Sequence, residues 1–484
     1  MHFIDPAQHT RRAFLRRAGQ LAFTGAALPT VLNLTAMGEA AAFTATDYKA
    51  LVCIFLFGGN DYANTVVNYD PTSHAQYATV RGSIALPRAS LAATALNPTT
   101  ALPDGRQYAL HPAMGGLAGL FNSGVAAVQL NVGPLVVPLT RQQYNLNNSS
   151  YPRPPKLFSH NDQQSVWQTS AAEGATAGWG GHIGDLALAH NGSNSVLTCV
   201  SVTGNTVFLS GDQALSYQVG TNGAVAIRGL SSSVYGSADV MGAISAMSLQ
   251  ARNHQLENEY QRVIARAVST RQAVDNALGL GVASTATAPF SDFPTSGNNL
   301  ADQLKLVARL IAANTSSSGP GLKRQVFFVS MGGFDLHDNL IDGQNTLMGR
   351  LSVAMSAFYK ATNDLGVADK VTAFTASDFG RTLTSNGDGS DHGWGSHHLV
   401  VGGAVRGAAF YGKAPPVSVT NSTTDAFDQW HVGQGRLLPS TSVDQYASTL
   451  ATWFGVQGTE MNGILPNLTN FNSSDYPRDM GFML

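Results

Sequence analysis

The sequence predicts an α/β protein built on a doubly wound, mostly parallel sheet. Two observations carry that prediction. Four short apolar runs rich in strand formers, residues 49–57, 125–132, 324–330 and 371–376, read as strands buried on both faces, and stretches with helical spacing separate them. Two of these runs end on the same device: two glycines, one spacer, then an aspartate, Asp61 and Asp335. In open α/β sheets, ligands bind beyond the carboxyl ends of the strands, so these ends are where function is sought.

The chain has 484 residues, enough for one large domain or two ordinary ones, and 44% of them are hydrophobic. A net charge of −2 and a pI near 6.7 exclude the basic footprint of a nucleic-acid binder. The two cysteines, Cys53 and Cys199, form no CxxC motif and read as buried small hydrophobes.

Residues 1–42 read as a targeting segment, with the folded domain spanning 43–484. Arg11-Arg12 followed by Phe14-Leu15-Arg16 looks like a twin-arginine export signal. A mildly apolar stretch and the small residues Ala40, Ala41 and Ala42 follow it. The expected partner is the twin-arginine export machinery, and the expected location is periplasmic or secreted. No later run approaches the 18 or so apolar residues of a membrane span, so no transmembrane segment is expected after signal removal.

Taken in order, the run 49–57 is a central strand ending in Gly58-Gly59-Asn60-Asp61. Glycines there allow close backbone approach to a ligand, and Asp61 reads equally as a ligand or as a turn-capping residue. A helix over 111–121 and the strand 125–132 complete a strand-helix-strand unit. A proline-rich loop, 151–155, delivers Phe158-Ser159-His160-Asn161-Asp162 to a helix that runs to Thr169. Ser159 at its start is an N-cap or a nucleophile. A further helix spans 178–189. Residues 190–248 read as a β-rich insertion or lid. Helices follow over 249–278, 300–313 and 347–365. Strand 324–330 delivers Asp335 and His337. Strand 371–376 delivers Asp378, Arg381, Asp391, His392, His397 and His398. A closing helix spans 443–454, and surface loop is expected beyond it.

Carboxylates and imidazoles beside a hydroxyl suit a divalent cation, Zn, Mn, Mg or Ca, held by oxygen and nitrogen. Such an ion activates a hydroxyl or water and neutralises a phosphoryl or sulfuryl group, and Arg381 adds a bidentate oxyanion contact.

The ordered motifs GGNDxxNT, FSHNDQQ, GWGGHIGD, GGFDLHDN, SDFGRT, DHGWGSHH and YASTLATWFGV resemble the bacterial family called domain of unknown function 1501. That family is similar in fold to the alkaline phosphatase and sulfatase superfamily. The resemblance implies a three-layer α/β/α sandwich, one or two metal ions and a nucleophile at a helix start. Carried across, Asp61, Asp335, His337, Asp378 and His392 become metal ligands and Ser159 the nucleophile. Asp391, His397 and His398 stand in reserve. Phe379 stands where the superfamily has a histidine, which bears on the second ion, and no sulfatase-type Cys-x-Pro-x-Arg is present. The expected function is metal-dependent hydrolysis of phosphate esters, with sulfate esters second, on a small-molecule substrate. The alternatives are a relative without catalysis that binds or assembles at the cell surface, and a structural metal site without turnover.

Overall fold

The computed structural model describes residue 43 and residues 45–484, apart from 225, 226, 228, 231–235, 282–288 and 317. The export segment therefore lies outside the described residues. The strands are β1 (Lys49–Leu56), β2 (Val66–Asn68), β3 (Tyr108–Leu110), β4 (Ala126–Gly133), β5 (Cys199–Ser201), β6 (Tyr217–Gly220), β7 (Gly223–Ala224), β8 (Arg324–Met331), β9 (Val371–Ser377), β10 (Ser396–Gly402), β11 (Ala409–Tyr411) and β12 (Thr441–Ser442). The principal helices are α1 (Pro71–Arg81), α2 (Gly115–Asn122), α3 (His160–Thr169), α4 (Trp179–Ala187), α5 (Ala238–Leu249), α6 (Gln255–Gly281), α7 (Asn299–Thr315), α8 (Leu340–Asp364) and α9 (Val443–Phe454).

Ten strands form one mixed sheet in the order β11-β4-β10-β9-β1-β8-β5-β6-β7, with β12 extending β4. β1 lies at the centre, parallel to β8 on one side and β9 on the other. β10 runs antiparallel between β9 and β4. The class is thus α/β, as the apolar runs predicted.

β1 shows why those runs have no polar alternation. Ala50, Val52, Ile54 and Leu56 join one hydrophobic cluster, while Leu51, Cys53 and Phe55 join another. Successive strand residues point to opposite faces, so an uninterrupted apolar strand signals a sheet covered on both. The first cluster includes Leu117 of α2, Leu304 of α7 and Leu351 of α8. The second includes Ile183 of α4 and Leu450 of α9. Cys53 and Cys199 are free and buried, in keeping with the sequence reading. Among the described residues no helix is long and apolar enough to cross a membrane.

The β-rich stretch expected at 190–248 contains β5, β6 and β7, of which β5 pairs with β8 and β6 with β5, extending the main sheet. The strands are only two to four residues long, too short to show a period, and α5 follows them. The segment after α9 is not surface loop. It forms a helix, Gly458–Ile464, and buries Leu465, Phe471 and Phe482 completely. Short turns with anchoring apolar residues carry no periodic signal, which is why the sequence hid them.

Candidate metal centre

Three neighbouring strand ends converge, those of β1, β8 and β9. After β1 the chain turns through Gly58 (φ +117°) and Gly59 (φ +84°). A Cβ on Gly58 would strike the Asp335 amide, and one on Gly59 would meet the Phe379 ring at 2.5 Å. The Gly-Gly pair is therefore what lets the turns after β1, β8 and β9 close on each other. The segments Ser377–Thr382 and Asp391–Ser396 form a ribbon: Gly380 N donates to Trp394 O (2.9 Å), and Arg381 bridges His392. This ribbon sets His392 opposite Arg381 and over the end of β8.

Asp335 is the hub. Its Oδ1 accepts from Arg381 Nη1 (2.9 Å) and lies 3.0 Å from His337 Nε2 and 3.2 Å from His392 Nε2. Its Oδ2 lies 3.4 Å from His160 Nε2. Burial pushes its carboxyl up, but the Arg381 bond and charge, with the nearby imidazoles, hold it below the usual carboxylate range. The ligand atoms of His160, Asp335 and His392 all lie within 4.8 Å of one another.

Each imidazole is oriented by its other nitrogen. His160 Nδ1 faces Asp378 Oδ2 at 2.6 Å, His392 Nδ1 faces the Phe158 carbonyl at 2.8 Å, and His337 Nδ1 faces Asp391 Oδ1 at 3.3 Å. All three partners are acceptors, so each Nδ1 carries the proton and donates. In the neutral rings the Nε2 lone pairs are then turned toward Asp335. His337 Nε2 and His392 Nε2 lie only 3.0 Å apart, and both are close to Asp335 Oδ1. This is the arrangement of histidine ligands backed by carboxylates and carbonyls. Burial lowers the His392 pKa. The Asp378 hydrogen bond raises that of His160.

The other sequence candidates fall elsewhere. Asp378 is fully buried behind His160. Its Oδ2 also accepts from Gly58 N (3.2 Å) and Gln164 Nε2 (2.9 Å), so through that oxygen it orients His160, while its Oδ1 is buried without a hydrogen-bond partner among the described residues. Asp61 is not brought into the group. Its carboxylate is held in a buried ion pair with Arg81 and caps the turn at Ala63 N (3.2 Å), the capping alternative of the sequence reading. Arg381 does not offer a free fork, because its guanidinium bonds Gly58 O, Asp335 and Ser390. Ser159 caps no amide; its hydroxyl donates to Asp162 Oδ2 at 2.9 Å, one residue before His160. His397 and His398 are core residues, their pKa values pushed down to about 3 by burial. Asp391 serves through His337. Phe379 is buried, with its ring centroid 4.9 Å from that of His160 and 4.7 Å from that of His392.

His160 and Gln164 were not singled out from sequence. The signal was present in FSHNDQQ, where a histidine at the first helical position follows a proline-rich loop. Phe158 itself has φ +74°, rare for an aromatic residue, and this is what turns its carbonyl toward His392.

An α/β protein with a histidine–aspartate cluster at the carboxyl ends of adjacent central strands is the class that fold and site define. The chain belongs to the family described as protein of unknown function DUF1501, whose model matches residues 48–458. No curated protein matches it.

Proposed function

We propose that the protein is an exported, metal-dependent hydrolase of phosphate esters, with sulfate esters as second choice, on an alkaline phosphatase-like three-layer scaffold. The observation that carries this reading is the convergence of three imidazole Nε2 atoms on Asp335, each with its Nδ1 committed elsewhere. One divalent ion fits His160, His392 and Asp335, with His337 beside Asp335 as a neighbouring donor. The donor set, rich in imidazole, favours Zn or Mn over Mg or Ca. Of the expected further ligands, Asp61 is held in its ion pair with Arg81 and Asp378 commits only its Oδ2, while Phe379 packs on the His160 and His392 rings, so the donors gathered here suit one ion. When bound, such an ion supplies Lewis acidity and lowers the pKa of a water.

The chain's own residues supply the rest. The first amides of α3, which no side chain caps, favour negative charge beside His160. Ser159 carries its proton to Asp162, a carboxylate placed to accept it. Gln164 and Gly58 hold Asp378, and through it His160, in one orientation. Export to the periplasm or beyond follows from the paired arginines at 11 and 12.

Phe379 favours a second reading, a catalytically degenerate relative that binds or assembles at the cell surface. One experiment separates them. The purified mature chain is expected to hold one equivalent of metal, lost in Asp335→Ala and His392→Ala, and to hydrolyse aryl phosphates. No bound metal under any loading condition removes the hydrolase reading. Metal without turnover on mono-, di- and sulfate esters favours the second reading. Activity surviving Ser159→Ala leaves a water mechanism and removes the covalent one.

A further inference from the structure

We propose that Arg436 is the substrate-anion contact of this site, gripping a terminal phosphoryl group and setting a preference for phosphate monoesters over diesters; this rests on the hydrolase reading above. The sequence assigned the oxyanion contact to Arg381, whose guanidinium is committed to protein acceptors. Arg436 is built differently. Its Nε donates to the His392 carbonyl at 2.7 Å, so it is fastened directly to a residue of the histidine cluster. Its guanidinium lies 5.3 Å from the centroid of the Phe158 ring, the residue whose carbonyl orients His392. Among the described residues its two terminal nitrogens have no hydrogen-bond acceptor.

The backbone holds this side chain in place beforehand. Arg436 sits on a tight hairpin closed by the His431–Leu437 bridge, with Arg436 N donating to Gly433 O (2.9 Å) and Val432 N to Arg436 O (2.9 Å). Tyr62 and Leu383 pin the hairpin through bonds to Gly435 O (3.1 Å) and Gln434 O (3.1 Å). A half-buried guanidinium with one edge bonded and the other open, on a rigid hairpin, is a preorganised fork for two oxygens of an anion. Asp391 is the nearby carboxylate that acts on it, and Asp391 already accepts from Asn386 Nδ2 (2.9 Å) and His337 Nδ1 (3.3 Å). A monoester, with two charges and three non-bridging oxygens, gains more from this fork than a diester with one charge.

The test uses the full mature chain, metal-loaded, as wild type, Arg436→Gln and Arg436→Lys. Metal content, inorganic phosphate binding by titration calorimetry, and kcat/KM for 4-nitrophenyl phosphate and bis(4-nitrophenyl) phosphate are measured. Metal content is expected to stay the same in all three. Phosphate affinity is expected to fall at least about tenfold in Arg436→Gln and to recover only in part in Arg436→Lys, which keeps charge but loses the fork. The monoester rate is expected to fall more than the diester rate. Phosphate binding unchanged in Arg436→Gln, or absent from the wild type, overturns the proposal, as does an equal loss on both esters. If the wild type holds metal but turns over no ester, the hydrolase reading fails, and the phosphate titration still decides whether Arg436 binds the anion.

Discussion

Asp378 shows how much a residue's role depends on what stands in front of it. By sequence it ends a buried strand and reads as a ligand. In the fold, His160 takes the forward position and Asp378 becomes the carboxylate that fixes the ring. Replacing it with Asn keeps the shape and removes the charge. Asp378→Asn is expected to weaken metal binding by about 10- to 100-fold, the usual effect of losing a supporting carboxylate. Competition with a chromogenic chelator measures it, and an affinity within twofold of wild type would mean that His160 is oriented by something else. Asp335, Asp378 and His392 were legible as site residues because each follows a strand or leads into one. His160 was not, since a histidine after a serine at a helix start looks like ordinary helix opening. The partner of Asp61 was equally hidden. Arg81 closes α1, twenty residues on, and only the tertiary fold brings the two side chains together.

At the scale of elements, the two-glycine device after β1 proves to serve close packing as much as chemistry, whereas after β8 a Cβ on Gly332 would meet open space. β1 pairs with both β8 and β9 along its length, so the turns leaving all three compete for one space. Glycine at 58 resolves the competition, with a φ that L side chains rarely adopt and no Cβ to meet the Asp335 backbone. Gly58→Ala is expected to destabilise the fold by about 1–3 kcal/mol from the backbone conformation alone, and to displace Asp335. Urea unfolding together with metal content checks this; a stable variant that keeps full metal occupancy would contradict it. The central strands were readable because both-face burial leaves an unbroken apolar run. The edge strands β5–β7 were legible only as a β-rich stretch, and the buried tail after α9 not at all, because both are too short to impose a period.

At the scale of the molecule, buried ionisable groups set the response to pH. Asp444, in the first turn of α9, is 2% exposed, and burial pushes its pKa up to about 6 despite bonds from Ser170 and the Asn467 amide. The folded chain thus holds a proton there more tightly than the unfolded chain. The cost is fully present above pH 6 and fades as pH falls toward the ordinary value of 3.8. Asp444→Asn is therefore expected to stabilise the protein at pH 7 by up to about 3 kcal/mol, with the gain gone near pH 4. His397 and His398 work in the opposite sense. Held neutral down to about pH 3 when folded, they protonate near 6.5 when unfolded, so stability drains away as pH falls below 6.5. Urea midpoints at pH 7 and pH 4 measure the balance, and no gain at pH 7 in Asp444→Asn would show that its carboxylate is already compensated.

The Phe158 carbonyl has a consequence of another kind. The proline-rich arch ends in a residue bent into left-handed backbone, and that bend aims one oxygen at the His392 ring. Ring and arch are therefore two ends of one lever. By thermodynamic reciprocity, whatever steadies the ring also steadies the arch, and whatever presses on the arch from outside tilts the ring. The arch is a place where an event at the cluster becomes visible on the surface, and where contact at the surface can be felt by the cluster.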